Sequence, residues 1–319
     1  MSAQSNQPLP QVKLVEIDEA HAEQRLDNFL ISTLKGVPKT RIYRIVRKGE
    51  VRVNKGRVEV SYKLQIGDIV RIPPVRVAEK ADEVILQPSL RFNLEQQIIY
   101  EDDGFIVLNK PAGFAVHGGS GINAGIIEAL RQIRPQQKFL ELVHRLDKET
   151  SGCLLIAKKR AILKILHDFF RGDGVQKTYI ALLAGQYVRK KQIVDAPLLK
   201  NTALSGERMV VVSKAGKSAE TLFTRLKQFQ DCTLVHAAPK TGRTHQIRVH
   251  AAWLGHPIIA DDRYGEFETN RIFKKRGFKR LFLHAEQLQF NHPVSGAPLH
   301  FTAPLPDDLN DLLAHEKPL

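Results

Sequence analysis

The sequence predicts an α+β protein in two parts, a small α/β module followed by a large mixed, mostly antiparallel β-sheet with flanking helices. Three observations point there. The chain has 319 residues and a 43% hydrophobic fraction, enough for two separate cores. Its formal charge of +14 is uneven, with 14 Lys and Arg against 6 Asp and Glu between His21 and Lys80. Beyond that block, CLLIAKK (153–159), TYIALLAG (178–185), ETLFTRL (220–226) and CTLVHAA (232–238) read as strands. Several succeed one another with no room for a crossover helix, which favours antiparallel pairing.

In chain order, residues 1–13 are polar, contain two prolines and read as a disordered lead-in. The module spans 14–76. PKTRIYRIVRKG predicts a helix from about Lys39 to Lys48, with Ile42, Ile45 and Val46 on one face and Arg41, Arg44, Arg47 and Lys48 toward the other. Gly49 ends it. VRVNKGRVEV (51–60) alternates with period two around Asn-Lys-Gly and predicts a hairpin, and IGDIVRI (66–72) closes a second one. After Pro73-Pro74, a polar stretch makes 77–90 a linker.

The second part covers 91–319. IIYEDDGFIVLNKPAG (98–113) predicts a hairpin turned at Asp103-Gly104 and ending in a rigid Pro-Ala-Gly loop. Residues 124–134 have the spacing of a short helix, and THQIRVHAAWLGHPI (244–258) reads as helix up to Trp253, halted by Gly255 and Pro257.

Composition narrows the function classes. No apolar run approaches the ~20 residues of a membrane span, and the first ten residues lack a signal-peptide pattern, so a cytoplasmic protein is expected. Cys153 and Cys232 lie far apart in apolar surroundings and read as reduced core residues. CxxC, HExxH, Rossmann and Walker patterns are missing. The pI near 9.8 points to a polyanionic partner, nucleic acid before an anionic membrane. FKKRGFKR (273–280) interleaves Phe273 and Phe278 with five cations, a composition that suits gripping a backbone and stacking on unpaired bases, or equally a bare loop of solvated lysines.

HRLDKETSG (144–152) carries the chemistry. It runs straight into the apolar CLLIAKK, as a loop does on reaching a buried strand, and sets Asp147 beside Arg145 at the strand edge. A carboxylate held there can act as nucleophile or electrostatic stabiliser. The same pattern also suits a buried ion pair closing a turn.

NKPAG (109–113) with His117, HRLDKETSG, QKTYIALLAG (176–185), TGRTHQIRVH (241–250) and LHAEQLQFNHP (283–293) together resemble, in order, the RluA family of RNA pseudouridine synthases. Residues 14–76 resemble an S-four-like RNA-binding module. The resemblance implies an isomerase that converts uridines of large-subunit ribosomal RNA to pseudouridine, as a monomer, with no cofactor, no metal and no membrane.

By that resemblance Asp147 is the catalytic acid, Arg248 its cationic partner and Tyr179 the active-site tyrosine. Lys177 supplies a fixed charge, Leu283 lines the far side of the base, Arg145 fills the place of an extruded nucleotide, and Arg243 contacts phosphate. His144 and His245 orient loops. Extrusion is required because the target atom is unreachable inside a stacked helix. One acid without a water-activating partner argues against a glycosidase, and an intact Asp147, Tyr179 and Arg248 argue against a non-catalytic assembly factor.

Overall fold

The computed structural model describes residues 11–19, 21–34, 36–75, 94–118, 124–202 and 208–319. The linker expected at 77–90, and all but the end of the expected lead-in, lie outside them. The chain divides into two compact units, Met1–Ile85 and Leu86–Leu319.

The first unit combines β1 (Lys13–Glu16), α1 (Leu26–Thr33), α2 (Lys39–Arg47), β2 (Arg52–Val53) and β3 (Ile69–Ile72). The sheet order is β1-β3-β2, antiparallel throughout. α2 buries Ile42, Ile45 and Val46 against a core with Leu26, Phe29 and Leu30, so its cations are turned outward. Arg44, Arg47 and Lys48 are exposed and Arg41 is half-buried. Gly49 ends the helix at φ +69°, a left-handed conformation that costs glycine little.

The first expected hairpin is cut to a single bridge and the second does not form. At the Asn54-Lys55 turn both residues have positive φ and Gly56 pairs back on Val53 of β2 through two backbone hydrogen bonds, but the ladder goes no further. Instead the carbonyls of Val60 and Tyr62 accept the Asp27 and Leu26 N–H groups at the start of α1, donors that helix geometry leaves without partners. β3 then pairs with β1 and β2 rather than with the segment just before it. Local alternation suggested neighbours; the unmet needs of a helix end chose otherwise.

The second unit is built on a ten-stranded sheet of order β4-β5-β7-β14-β8-β13-β12-β9, with β15 on β14 and β6 on β7. These are β4 (Ile98–Glu101), β5 (Phe105–Lys110), β6 (Glu141–Leu142), β7 (Ser151–Ala157), β8 (Val175–Ala184), β9 (Lys191–Asp195), β12 (Glu220–Gln228), β13 (Cys232–Pro239), β14 (Leu283–Asn291) and β15 (Pro298–Thr302). Every ladder is antiparallel except β7 with β14. A separate ribbon joins β10 (Leu198–Thr202) to β11 (Arg208–Val212). The helices are α3 (Ile126–Ile133), α4 (Arg160–Arg171), α5 (Gln246–Trp253), α6 (Phe267–Lys275) and α7 (Asp307–His315).

β7 is buried at every position, as its unbroken apolar run requires. The β4–β5 hairpin, the helix near 124–134 and the helix ending at Trp253 all form where the sequence predicts them. Both cysteines are free and buried. Among the described residues no helix is long and apolar enough to cross a membrane.

FKKRGFKR departs from expectation. Phe273 and Phe278 are only 1% and 5% exposed, because the last turn of α6 and the turn that follows it set them into the core around Phe282 and Leu281. Arg276 is bound by Asp231 and Glu316, and Arg280 by Asp308. The segment therefore has no ring free to stack on bases, and its two arginines are occupied.

Candidate active site

Asp147 sits on the loop between β6 and β7, and three contacts hold that loop. The Thr150 N–H donates to the Asp147 carbonyl, closing a tight turn, and the Gly113 N–H donates to that of Lys148. Lys110, at the end of β5, is fully buried and spends its ammonium on the carbonyls of Pro111, Phe114 and Lys148. It thereby ties the Pro-Ala-Gly loop to the Asp147 loop; burial pushes its pKa down to about 7, against the nearby charges of Glu149 and Asp147. Gly152, the second residue of β7, has φ +110°, and an added Cβ there would lie 2.2 Å from the Ala285 carbonyl oxygen. Only glycine lets β7 and β14 approach at this point.

Around Asp147 lies a cavity of about 610 Å³ lined by His144, Arg145, Lys177, Tyr179, Arg243, His245, Arg248 and Leu283. Eight of the expected site residues thus face one space with Asp147, whereas Arg41, Arg44, Arg47 and Lys48 belong to the other unit. A larger hollow of about 830 Å³ between Arg276–Arg280 and α7 contains none of them.

Arg248 is 7% exposed, and its Nη1 donates to Asp147 Oδ2 at 3.3 Å. Its stronger partner is one that the sequence reading missed. Asp261, with no exposed side-chain surface, accepts from Nε and Nη2 at 2.7 Å each. The backbone N–H groups of Arg263 and Tyr264 also donate to Asp261 Oδ1. Burial alone would raise the Asp261 pKa, but Arg248 and these N–H groups more than offset it and hold the carboxyl below its usual range. The available signal was an acid closing the apolar run before DDRYG, in the segment that follows the arginine-bearing helix.

Tyr179 lies on β8, directly across from Ala237 on one side and Ala285 on the other, so no bulky neighbour crowds its face. Burial, and secondarily the charge of Asp147, raises its pKa well above that of a free phenol. Lys177, two residues away on the same face, has its pKa lowered by burial and stands 5.8 Å over the Phe170 ring. Leu283 starts β14 and is buried beside Ala181. Arg145 is exposed at the cavity, and Arg243 is exposed with its Nε on the Ser218 carbonyl.

Both histidines make contacts between segments of the chain. His144 accepts the Leu155 N–H through Nε2 and stacks on Phe170 at 4.7 Å between centroids. Burial, then the charge of Lys177, drives its pKa down to about 3. His245 precedes α5 in the left-handed conformation, with Nε2 3.8 Å from Asp147 Oδ2 and Nδ1 2.8 Å from the Tyr264 hydroxyl.

A family model described as RNA pseudouridylate synthase matches residues 104–253, and an S4 domain model matches 24–70. The chain is 55% identical over 303 residues to ribosomal large subunit pseudouridine synthase C of Haemophilus influenzae, covering 95% of this chain and 94% of that protein. The chain belongs to the RNA pseudouridylate synthase family. The synthase is also 54% identical over 308 residues to ribosomal large subunit pseudouridine synthase C of Escherichia coli K12, covering 95% and 96% of the two chains. Among solved structures, human RNA pseudouridylate synthase domain containing 4 is 27% identical with a TM-score of 0.59, over 71% of this chain and 95% of that one. Human RNA pseudouridylate synthase domain containing 1 is 26% identical with a TM-score of 0.60, over 73% and 92%.

Proposed function

We propose that this RNA pseudouridine synthase isomerises uridines of large-subunit (23S) ribosomal RNA in the cytoplasm. In this reading it acts as a monomer, needs no cofactor or metal, and uses Asp147 as its catalytic carboxylate. Residues 14–76 hold RNA, with phosphate contacts from Arg41, Arg44, Arg47 and Lys48, and residues 91–319 carry the reaction. The observation that carries the catalytic assignment is the convergence of Asp147, Tyr179 and Arg248 on one cavity. The ribosomal substrate is supported by the names of the two relatives that match nearly the whole chain.

The reaction breaks the bond from ribose C1′ to uracil N1, turns the base and joins C1′ to C5. The C5 proton leaves and N1 gains one, so no redox partner or leaving group is consumed. Breaking the glycosidic bond gives the sugar cationic character, which a carboxylate on that face stabilises. Arg248 orients that carboxylate, and because Asp261 takes up much of its charge, Asp147 is not locked into a two-pronged ion pair. Tyr179 stays a phenol at neutral pH, so it stacks on uracil and offers a hydroxyl near the carbon that loses its proton. Leu283 closes the far side of the base, Arg145 fills the gap left by the extruded nucleotide, Lys177 supports the pocket as a fixed charge, and Arg243 holds phosphate.

Mapping pseudouridine in ribosomal RNA from cells lacking the protein tests the substrate. Specific large-subunit positions should revert to uridine and be restored by the wild-type chain. An unchanged large-subunit pattern rejects the assignment.

A further inference from the structure

We infer that His245 is a positioning residue for this reaction, directing an imidazole Nε2–H at Asp147, and that Tyr264, whose hydroxyl accepts a backbone N–H of β11, sets this tautomer. The inference rests on the proposal that Asp147 is the catalytic carboxylate.

Counting protons assigns the tautomer. The Tyr264 oxygen receives the Val210 N–H at 3.1 Å, and a backbone amide can only donate. His245 Nδ1 lies 2.8 Å from the same oxygen. Were Nδ1 protonated, the phenol would accept twice and its own proton would have no acceptor among these partners. The arrangement that satisfies all three groups has the Tyr264 hydroxyl donating to Nδ1, which leaves the ring proton on Nε2. Tyr264 is itself fixed, because it packs with Leu198, Val210, Ala219 and Val249, and the Arg248 guanidinium lies 5.2 Å from its ring.

Burial favours the neutral form of the ring. Burial lowers the His245 pKa, opposed by Asp147 and Asp261 and assisted by Arg248 and Arg263. Its backbone is held at φ +53°, a conformation that a non-glycine residue adopts only where its surroundings impose it. That twist sets the ring between Tyr264 and Asp147.

The direction of the contacts gives the role. Arg248 Nη1 and His245 Nε2 both approach Oδ2 of Asp147, at 3.3 and 3.8 Å. Oδ1 is then the oxygen presented to substrate. A small closing movement would turn the 3.8 Å approach into a hydrogen bond to a charged acceptor and fix the carboxylate plane.

The test labels the full-length protein with 15N-histidine and reads two-bond proton–nitrogen correlations. The His245 signals are those that disappear in His245→Asn, a change suited to this site because asparagine tolerates the left-handed backbone. Wild type should show the Nε2–H tautomer, and Tyr264→Phe should lose its exclusivity. His245→Asn should lower kcat about tenfold with KM for RNA unchanged, as expected for one charge-assisted hydrogen bond. His245→Gln, whose amide reaches the Nε2 position, should recover part of the loss. An Nδ1–H tautomer in wild type, an unaltered tautomer in Tyr264→Phe, or wild-type kcat in His245→Asn overturns the inference. The tautomer is read without turnover, so these failures are distinct from that of the Asp147 assignment, which an active Asp147→Asn would expose.

Discussion

On α2, Arg44, Arg47 and Lys48 stand in solvent with apolar residues behind them; on α5, Arg248 is buried and shared between two carboxylates. The first arrangement leaves cations free to exchange counterions for phosphates, so each contributes to affinity and little to stability. The second makes one cation part of the fold, and removing it exposes the full cost of its buried partners. The same residue type thus serves binding in one unit and geometry in the other.

The largest effect on stability should come from Arg248→Ala. It leaves Asp261 ionised and without its guanidinium in a site with no exposed side-chain surface, at a cost of about 3–5 kcal/mol. Trp253 is the only tryptophan in the chain, so its fluorescence reports melting of the second unit selectively. A melt like that of wild type would mean that Asp261 does not depend on Arg248.

Next is Gly152→Ala. The added methyl meets the Ala285 backbone in a left-handed conformation, a strain of about 1–3 kcal/mol or more. The loop bearing Asp147 hangs from this strand, so turnover should fall together with the melting temperature. Unchanged stability would show that β7 and β14 can separate freely.

Acid should weaken the same unit. Burial lowers the pKa values of His144, His245, His250 and His284, so between about pH 6.5 and their folded values the unfolded chain binds more protons. Stability therefore falls as pH drops below about 6.5, by up to about 1.4 kcal/mol per pH unit for each such histidine, and for His144 this window extends to about 3. His144→Gln can still accept the Leu155 N–H, and it should make the decline in Trp253 melting temperature shallower. An equally steep decline would place the acid sensitivity elsewhere.

The smallest effect on stability belongs to α2. Replacing Arg44, Arg47 and Lys48 with glutamine should move the melting temperature little, since exposed substitutions usually stay within about 0.5 kcal/mol. The slope of log affinity against log salt should become shallower, by up to about one unit for each phosphate that the variant no longer neutralises. An unchanged slope would show that these cations are only solvated.

Legibility in the sequence followed the range of the interactions. The β4–β5 hairpin, the buried β7 and the helix ending at Trp253 arise from local periodicity and turn residues, and all are present. The cavity residues were named by motif, yet nothing local says that Arg248 takes two carboxylates or that Tyr264 links β11 to His245. Those contacts join segments that meet only after folding. Of the two first-unit hairpins, one is cut to the Val53–Gly56 bridge and one does not form, because alternation cannot reveal which backbone groups another element leaves unpaired. For FKKRGFKR, composition outweighed periodicity: Phe273 ends the apolar face of α6, and Phe278 joins the same core just past the helix.

The central claim is that Asp147 supplies chemistry while Asp261 holds the arginine. Asp147→Asn is its most direct test, because it removes one charge yet leaves Arg248 both of its 2.7 Å bonds to Asp261. Pseudouridine formation, RNA affinity and Trp253 melting should be measured on this one variant. Turnover is expected to fall to background with affinity and melting temperature nearly unchanged. Conversion of uridine at close to the wild-type rate would contradict the account.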